Sequence, residues 1–203
     1  MLGYTKPVPS VPHVLIEYIQ SDKGQYLDLG LLWGNTQYKV ELDFLLPTPS
    51  NAQVSILGSR NDTPSTARFG SLYFGSTNVQ GVWVGSASNR LPNTFVSMTR
   101  YLYSVEVFQP SLQLVTELDG VVRTSTYTGL TDTGIPVYLF GANLNDNIVE
   151  RSAIRMYGFK SWSNNVLIRD MVPVLDMTNR PALWDKVNDV YYYNQGTGEF
   201  TYV

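Results

Sequence analysis

One histidine, His13, and no cysteine decide much of the chemistry open to this chain. Catalysis of the Ser-His-Asp or Cys-His kind needs an imidazole beside the nucleophile. His13 closes a proline-rich leader containing Pro7, Pro9 and Pro12, where it is expected to be exposed. A zinc site needs further His or Cys ligands, so none is expected. Oxygen and aromatic chemistry remain. Asn61 and Asp62 form one oxygen-rich loop; Asn143, Asn145, Asp146 and Asn147 form a second. Calcium, with ~6–8 oxygen ligands, is the one ion such loops can take, although the same residues populate turns for conformational reasons alone. No other cofactor is expected. Trp33 and Trp83 stand beside glycines and near loops, with Arg60, Arg68 and Arg90 in or beside loops. Flat rings bordered by amide, carboxylate and guanidinium groups are how a protein holds a hydroxyl-rich ligand such as a glycan. The candidate ligand-binding set is therefore Arg60, Asn61, Asp62, Arg68, Trp83, Arg90, Asn143, Asn145 and Asp146. No catalytic or metal residue is assigned.

The elements that must carry these residues read as strands throughout. Val14 to Ile19 is a first strand, and Gln25 to Gly30 alternates again after a turn. Thr36 to Leu46 is the clearest pattern: Tyr38, Val40, Leu42 and Phe44 face one way, and Lys39, Glu41, Asp43 and Leu45 the other. Short strands follow at Val54–Gly58, Phe69–Phe74 and Gly81–Gly85. Arg60–Arg68 and Ser86–Asn93 read as loops, then Thr94–Val107 as one long strand. Asp119-Gly120 is a strong hairpin signal between Leu112–Leu118 and Val121–Ser125. Val137–Gly141 is a compact strand, and Asn143–Asn147 a polar loop. Arg155–Trp162 and Val166–Arg169 pair as a hairpin through Ser163-Asn164-Asn165. Tyr191-Tyr192-Tyr193 alternates, so at least one ring faces outward, in a segment that closes one end of the fold. Phe44, Phe74, Phe108, Phe140, Phe159 and Trp162 are expected in the core.

About a dozen short strands without helical periodicity indicate an all-β, two-sheet antiparallel β-sandwich. Residues 14–203 are assigned to that domain and residues 1–13 to an extended arm. The 203 residues carry a net charge of −3. Nucleic-acid binding driven by counterion release is therefore excluded. No apolar run is long enough to span a bilayer, so no membrane insertion is expected. The first residues lack the plan of a secretory signal, which points to synthesis without Sec export.

Four stretches carry a family resemblance: Tyr18–Gly30 (YIQSDKGQYLDLG), Ile56–Arg60 (ILGSR), Leu114–Ser125 with Val137–Asn143, and the C-terminal RMYGFKSW…LIRDMVPVLD…NQGTGEF. In this order they resemble the laminin-G-like, concanavalin A-like jelly-roll domains of phage structural proteins and gut-bacterial surface proteins. The resemblance implies a jelly roll whose chain ends lie close together, and a role in surface recognition. Related domains sometimes bind calcium at loop edges. Others are laminarinase-type glycosidases with a Glu-x-Asp-x-x-Glu strand. Here that strand is Glu41-Leu42-Asp43-Phe44-Leu45-Leu46, with Leu46 where the second glutamate would stand. A retaining glycosidase needs two carboxyl groups ~5–5.5 Å apart, so the chain is expected not to be an enzyme.

The expected role is a non-enzymatic virion surface protein of a bacteriophage, in a capsid decoration, fibre or tail. Its partners would be other virion proteins or further copies of itself as a homo-oligomer, and cell-surface glycans of the host. The alternative is a carbohydrate-binding or adhesion module of a secreted bacterial protein, which would be extracellular or on the bacterial surface.

Overall fold

A computed structural model describes residues 13–32, 37–47, 54–61, 68–73, 79–85, 87–94, 96–108, 111–127 and 134–203. In chain order the strands are β1 (Val14–Leu15), β2 (Ile19–Gln20), β3 (Leu27–Asp28), β4 (Tyr38–Leu45), β5 (Ser55–Arg60) and β6 (Arg68–Tyr73). Next come β7 (Val79–Val84), β8 (Ala87–Thr94), β9 (Arg100–Phe108), β10 (Gln113–Leu118), β11 (Val121–Thr126), β12 (Tyr138–Leu139) and β13 (Ala142–Leu144). The last are β14 (Asn147–Val149), β15 (Arg155–Ser163), β16 (Val166–Leu175), β17 (Pro181–Asp185), β18 (Val190–Tyr193) and β19 (Thr201–Tyr202). The larger sheet runs β11-β10-β9-β4-β15-β16-β17-β18, with β1, β2 and β19 attached. The second runs β14-β13-β5-β6-β7-β8, with β12 and β3 attached. The chain is the expected all-β sandwich, antiparallel except for the β13–β5 ladder. No described helix is long and apolar enough to cross a membrane.

The core lies where the inner faces meet. On β4, Tyr38, Val40, Leu42 and Phe44 are buried while Lys39, Glu41 and Asp43 alternate outward half-buried, as the period of two requires. Tyr103, Val105, Phe159 and Met171 continue that layer; Phe69, Val82 and Phe140 answer from the second sheet.

Several expectations are corrected. Val14–Ile19 is two strands, because the chain crosses from the edge of β16 (Leu15 opposite Val174) to that of β15 (Ile19 opposite Met156). Ser86–Asn93 is largely strand β8, in register with β7 (Trp83 opposite Ser88, Gly81 opposite Arg90). Pairing overrides the weak β propensity of Ser and Asn. Pro92 is tolerated because β8 ends its sheet, where a missing N–H costs no ladder bond. Thr94–Val107 is interrupted by a turn in which Met98 takes φ +60° and its N–H donates to the Leu46 carbonyl. The Asn143–Asn147 loop is the β13–β14 hairpin, turning at Asn145-Asp146 with φ +47° and +66°. The hairpins at Asp119-Gly120 and Asn164-Asn165 form as expected, with positive φ at all four residues. Phe44, Phe140 and Phe159 are core, but Phe108 and Trp162 are only half-buried. Phe74 and Trp33 lie outside the described residues.

The C-terminus meets the start of the described chain, and the resemblance implied such proximity of the domain's ends. β19 pairs with β2 (Thr201 opposite Gln20), and the Glu17 N–H donates to the Val203 carbonyl at 2.6 Å. A polar clasp reinforces the junction. Gln25 Nε2 donates to the Thr197 carbonyl, 172 residues away, at 3.1 Å. Asn194 Oδ1 accepts from the N–H groups of Tyr26 (3.2 Å) and Gly196 (2.7 Å), while its Nδ2 donates to the Gly198 carbonyl at 2.7 Å. Gly196 must lack a side chain here, since a Cβ would sit 2.0 Å from the Gly24 carbonyl oxygen. His13 is not exposed: its ring packs 4.2 Å from Trp184, and Nδ1 lies 3.1 Å from the Tyr191 hydroxyl.

Candidate functional site

Most of the residues singled out in the sequence lie along the second sheet, but they do not form one site. β5 lies between β6 and β13, so Arg60 stands opposite Arg68 on one side and Leu144 on the other. This brings Arg60, Asn61 and the Asn145-Asp146 turn to one end of the sheet. Arg60 is committed to an ion pair with Glu150 at 3.0 Å. Trp83 lies opposite Gly70 on β7, and Arg90 opposite Gly81 on β8. By strand rise, Arg90 is about 13 Å along the sheet from the Arg60 end. Only the backbone positions of Arg68, Trp83 and Arg90 are described, and Asp62 lies outside the described residues.

Asn143 is corrected. It is fully buried: its Nδ2 donates to the Pro136 carbonyl at 2.9 Å and its Oδ1 accepts from the Asp146 N–H at 2.8 Å. It shapes the turn from inside. Among the described residues, no three His, Asp or Glu side chains converge as a metal-binding group.

The geometry of a binding site appears instead on the outer face of the larger sheet. β15 sets it up through two irregularities. Its register against β4 shifts between Met156 and Gly158, and against β16 between Ser161 and Trp162. The first shift changes parity, so Met156, Phe159 and Ser161 are all buried. Trp162 is thereby turned outward, beside Lys39, which faces Glu106 on β9. Gln37, Lys39, Glu106, Trp162 and Asn165 line a cleft of about 290 Å³. Its polar groups are already ordered. Gln37 Nε2 donates to Glu106 Oε1 at 2.6 Å and to Asn165 Oδ1 at 3.1 Å, and Lys39 Nζ sits 5.2 Å from the Trp162 ring centroid.

Next to it on the same face, a second cleft of about 240 Å³ is lined by Glu41, Asp43, Tyr157, Lys160, Asp170 and Lys186 among others, with Gly158 in its lining. Charges alternate across it. Arg100 grips Asp43 with two bonds of 2.7 Å, Lys186 meets Asp170 at 2.8 Å, and Lys160 lies 3.9 Å from Glu41. Arg100 also covers the Tyr157 ring at 3.9 Å. Leu46, where a second catalytic glutamate would stand, is buried. From Trp162 to Gly158 the two clefts extend about 13 Å along β15. The face offers one large ring, several amides, and cations and carboxylates in pairs. That set can stack on an apolar ring face and exchange hydrogen bonds with hydroxyl groups.

Sequence reasoning missed Trp162 by assigning it to the core with Phe159. A regular strand cannot bury residues three apart on one face, so that conflict was the available signal.

No family model matches the chain, and no curated protein matches its sequence. Solved structures do resemble it. The CBM40 of the Ruminococcus gnavus IT-sialidase, bound to α2,3-sialyllactose, superposes with a TM-score of 0.54 at 13% identity, over 74% of this chain and 89% of that one. A candidate carbohydrate-binding protein of Bacteroides ovatus gives a TM-score of 0.64 at 12% identity, over 94% of this chain and 60% of that one. The NanB sialidase of Streptococcus pneumoniae gives 0.57 at 11% identity, over 75% of this chain but only 26% of the sialidase. The chain thus spans less than two thirds of the last two proteins. At these identities the likeness shows the fold alone, a two-sheet β-sandwich.

Proposed function

We propose that this chain is a non-catalytic carbohydrate-binding module that holds an oligosaccharide on the outer face of its larger sheet. The observation that carries the reading is the Trp162 cleft, where a half-buried indole is bordered by Gln37, Asn165, Lys39 and Glu106 in fixed geometry. The ring supplies a stacking surface; the amides, ammonium and carboxylate supply the hydroxyl partners. The neighbouring charged cleft lengthens the site beyond one sugar. The Bacteroides ovatus and CBM40 likenesses support this choice. They fit the expected alternative, a carbohydrate-binding module in an extracellular or cell-surface setting, better than a virion surface protein. The charge pairs at Glu41, Asp43 and Asp170 hold the face open without serving as acid and base.

The test is a glycan array with the wild-type chain and Trp162→Ala, repeated with a chelator. Trp162→Ala is expected to weaken binding at least tenfold, about 1.4 kcal/mol. Binding is expected to survive chelation, because the ring, amides, ammonium and carboxylate of the Trp162 cleft can hold a sugar without an ion. Binding unaffected by Trp162→Ala would move the site elsewhere. A folded chain that binds no glycan would remove the function.

A further inference from the structure

The larger sheet ends on β11, and this edge is built unlike the others. Among the described strands, the remaining sheet ends are β18 (four residues), β14 (three) and β8, which carries Pro92; β1, β3 and β19 are attached strands of two residues each. Short strands and proline are the usual protections of an edge. β11 is six residues, Val-Val-Arg-Thr-Ser-Thr, without proline or bulge. Its side chains are largely exposed: Val121 and Val122 are 53% and 58% exposed, and of the six residues only Ser125 is half-buried.

Its hydrogen-bonding pattern can be read from the ladder. The Tyr127 N–H donates to the Leu112 carbonyl, and Val121 pairs with Leu118 across the two-residue turn. Odd-numbered positions therefore bond toward β10, while Val122, Thr124 and Thr126 direct their N–H and C=O groups to the open edge. A partner strand must match these three pairs of groups. A second copy of β11, antiparallel about a two-fold axis perpendicular to the sheet, does so in one full-length register. Thr124 pairs with Thr124, Val122 with Thr126, and Arg123 with Ser125, giving six main-chain hydrogen bonds. Sliding by one step opposes Arg123 to Arg123 in one direction and Ser125 to Ser125 in the other, and either way only four of the six bonds remain within β11. The count of main-chain bonds thus selects the self-pairing centred on Thr124, with threonine and valine in favourable cross-strand pairs.

We propose that the chain forms a two-fold dimer by joining its β11 edges with Thr124 on the axis. This dimer does not depend on the ligand assigned to the outer face. It does, however, place both Trp162 clefts on the same side of one continuous sheet, where two weak sites can engage one surface together.

An edge-only interface is small, so the dissociation constant is expected on the order of 10–100 µM. Sedimentation equilibrium of the full chain from micromolar to 1 mM reads it directly. Thr124→Pro removes an outward N–H without touching the β10 ladder, and Thr124→Lys opposes two ammonium groups on the axis. Both are expected to weaken association at least tenfold with unchanged circular dichroism. Because the chain has no cysteine, Thr124→Cys adds a clean second readout. Oxidation should link Thr124→Cys chains rapidly and Val187→Cys chains slowly, Val187 being exposed on the β17–β18 hairpin. A wild-type chain that stays monomeric to 1 mM overturns the proposal. So does a dimer that persists in both Thr124→Pro and Thr124→Lys, or equal cross-linking of the two cysteine variants.

Discussion

Asn194 ties the two ends of the chain together, and its replacement by alanine makes a quantitative test. The side chain is 8% exposed and makes three hydrogen bonds, to the main chain of Tyr26, Gly196 and Gly198. Each such bond contributes about 1 kcal/mol net. Water can reach Gly196 and Gly198, which are exposed, more easily than Tyr26, which is half-buried. The expected loss for Asn194→Ala is therefore about 2–3 kcal/mol, or roughly 4–12 °C in Tm for a domain of this size. Urea unfolding followed by tryptophan fluorescence measures it, with the m-value expected unchanged. Asn194→Asp separates the three bonds. It keeps the acceptor for the Tyr26 and Gly196 N–H groups but aims an oxygen, not an N–H, at the Gly198 carbonyl. Gly196→Ala attacks the same clasp through the 2.0 Å approach of Gly24 and should cost about 1–3 kcal/mol as overpacking. If Asn194→Ala lost less than about 0.5 kcal/mol, the clasp would be ornamental and β2–β19 pairing alone would hold the ends.

Two further outcomes follow from buried or tightly bonded groups. The Tyr103 hydroxyl is buried without a hydrogen-bond partner, so Tyr103→Phe is expected to leave urea stability equal or slightly higher. Burial also pushes the Tyr103 pKa up. The folded state keeps a proton that the unfolded chain releases, so stability is whole below about pH 10 and falls above it; Tyr103→Phe should flatten that alkaline loss. At the other end of the scale, burial raises the Asp176 carboxyl. Hydrogen bonds from the Arg180 N–H, the Thr178 hydroxyl, the Tyr193 hydroxyl and the Thr178 N–H outweigh that effect and hold it at about 2. Its stabilisation is therefore present above the ordinary value of 3.8 and lost as pH falls toward 2. Melting curves of wild type and Asp176→Asn should differ at pH 6 and converge over that acid window.

How far the sequence was legible depended on whether the signal was local. The alternation of Tyr38 to Phe44 and the turns at Asp119-Gly120 and Asn164-Asn165 are local, and they were read correctly. β8 was not, because Ser, Asn and Pro take strand geometry there only by pairing with β7. Trp162 was placed on the wrong face because its bulk outweighed its spacing: with Phe159 buried, regular alternation against β4 turns a residue three positions on outward. The resemblance had singled out both YIQSDKGQYLDLG and NQGTGEF, but not that Gln25 and Asn194 hydrogen-bond across the gap between them. Asn and Gln in such stretches read as loop polarity until the two halves meet. The loops around Arg60 and Asn143 drew attention for the same reason: polar residues that mark ligand sites also mark turns.

The position of β4 has a consequence for how the chain reaches this structure. Phe44 sits between Tyr101 of β9 and Met156 of β15, so both neighbours of the central strand are synthesised after it. β4 therefore cannot complete its ladders until β9 and then β15 have been made, with β5 to β8 made in between. Such non-local ladders make folding slow, and a strand left unpaired meanwhile is prone to misassembly. Lys39, Glu41 and Asp43 charge that strand while it waits, serving as gatekeepers against misassembly. Residues that border the proposed binding face in the finished protein thus also guard the strand before its ladders are complete.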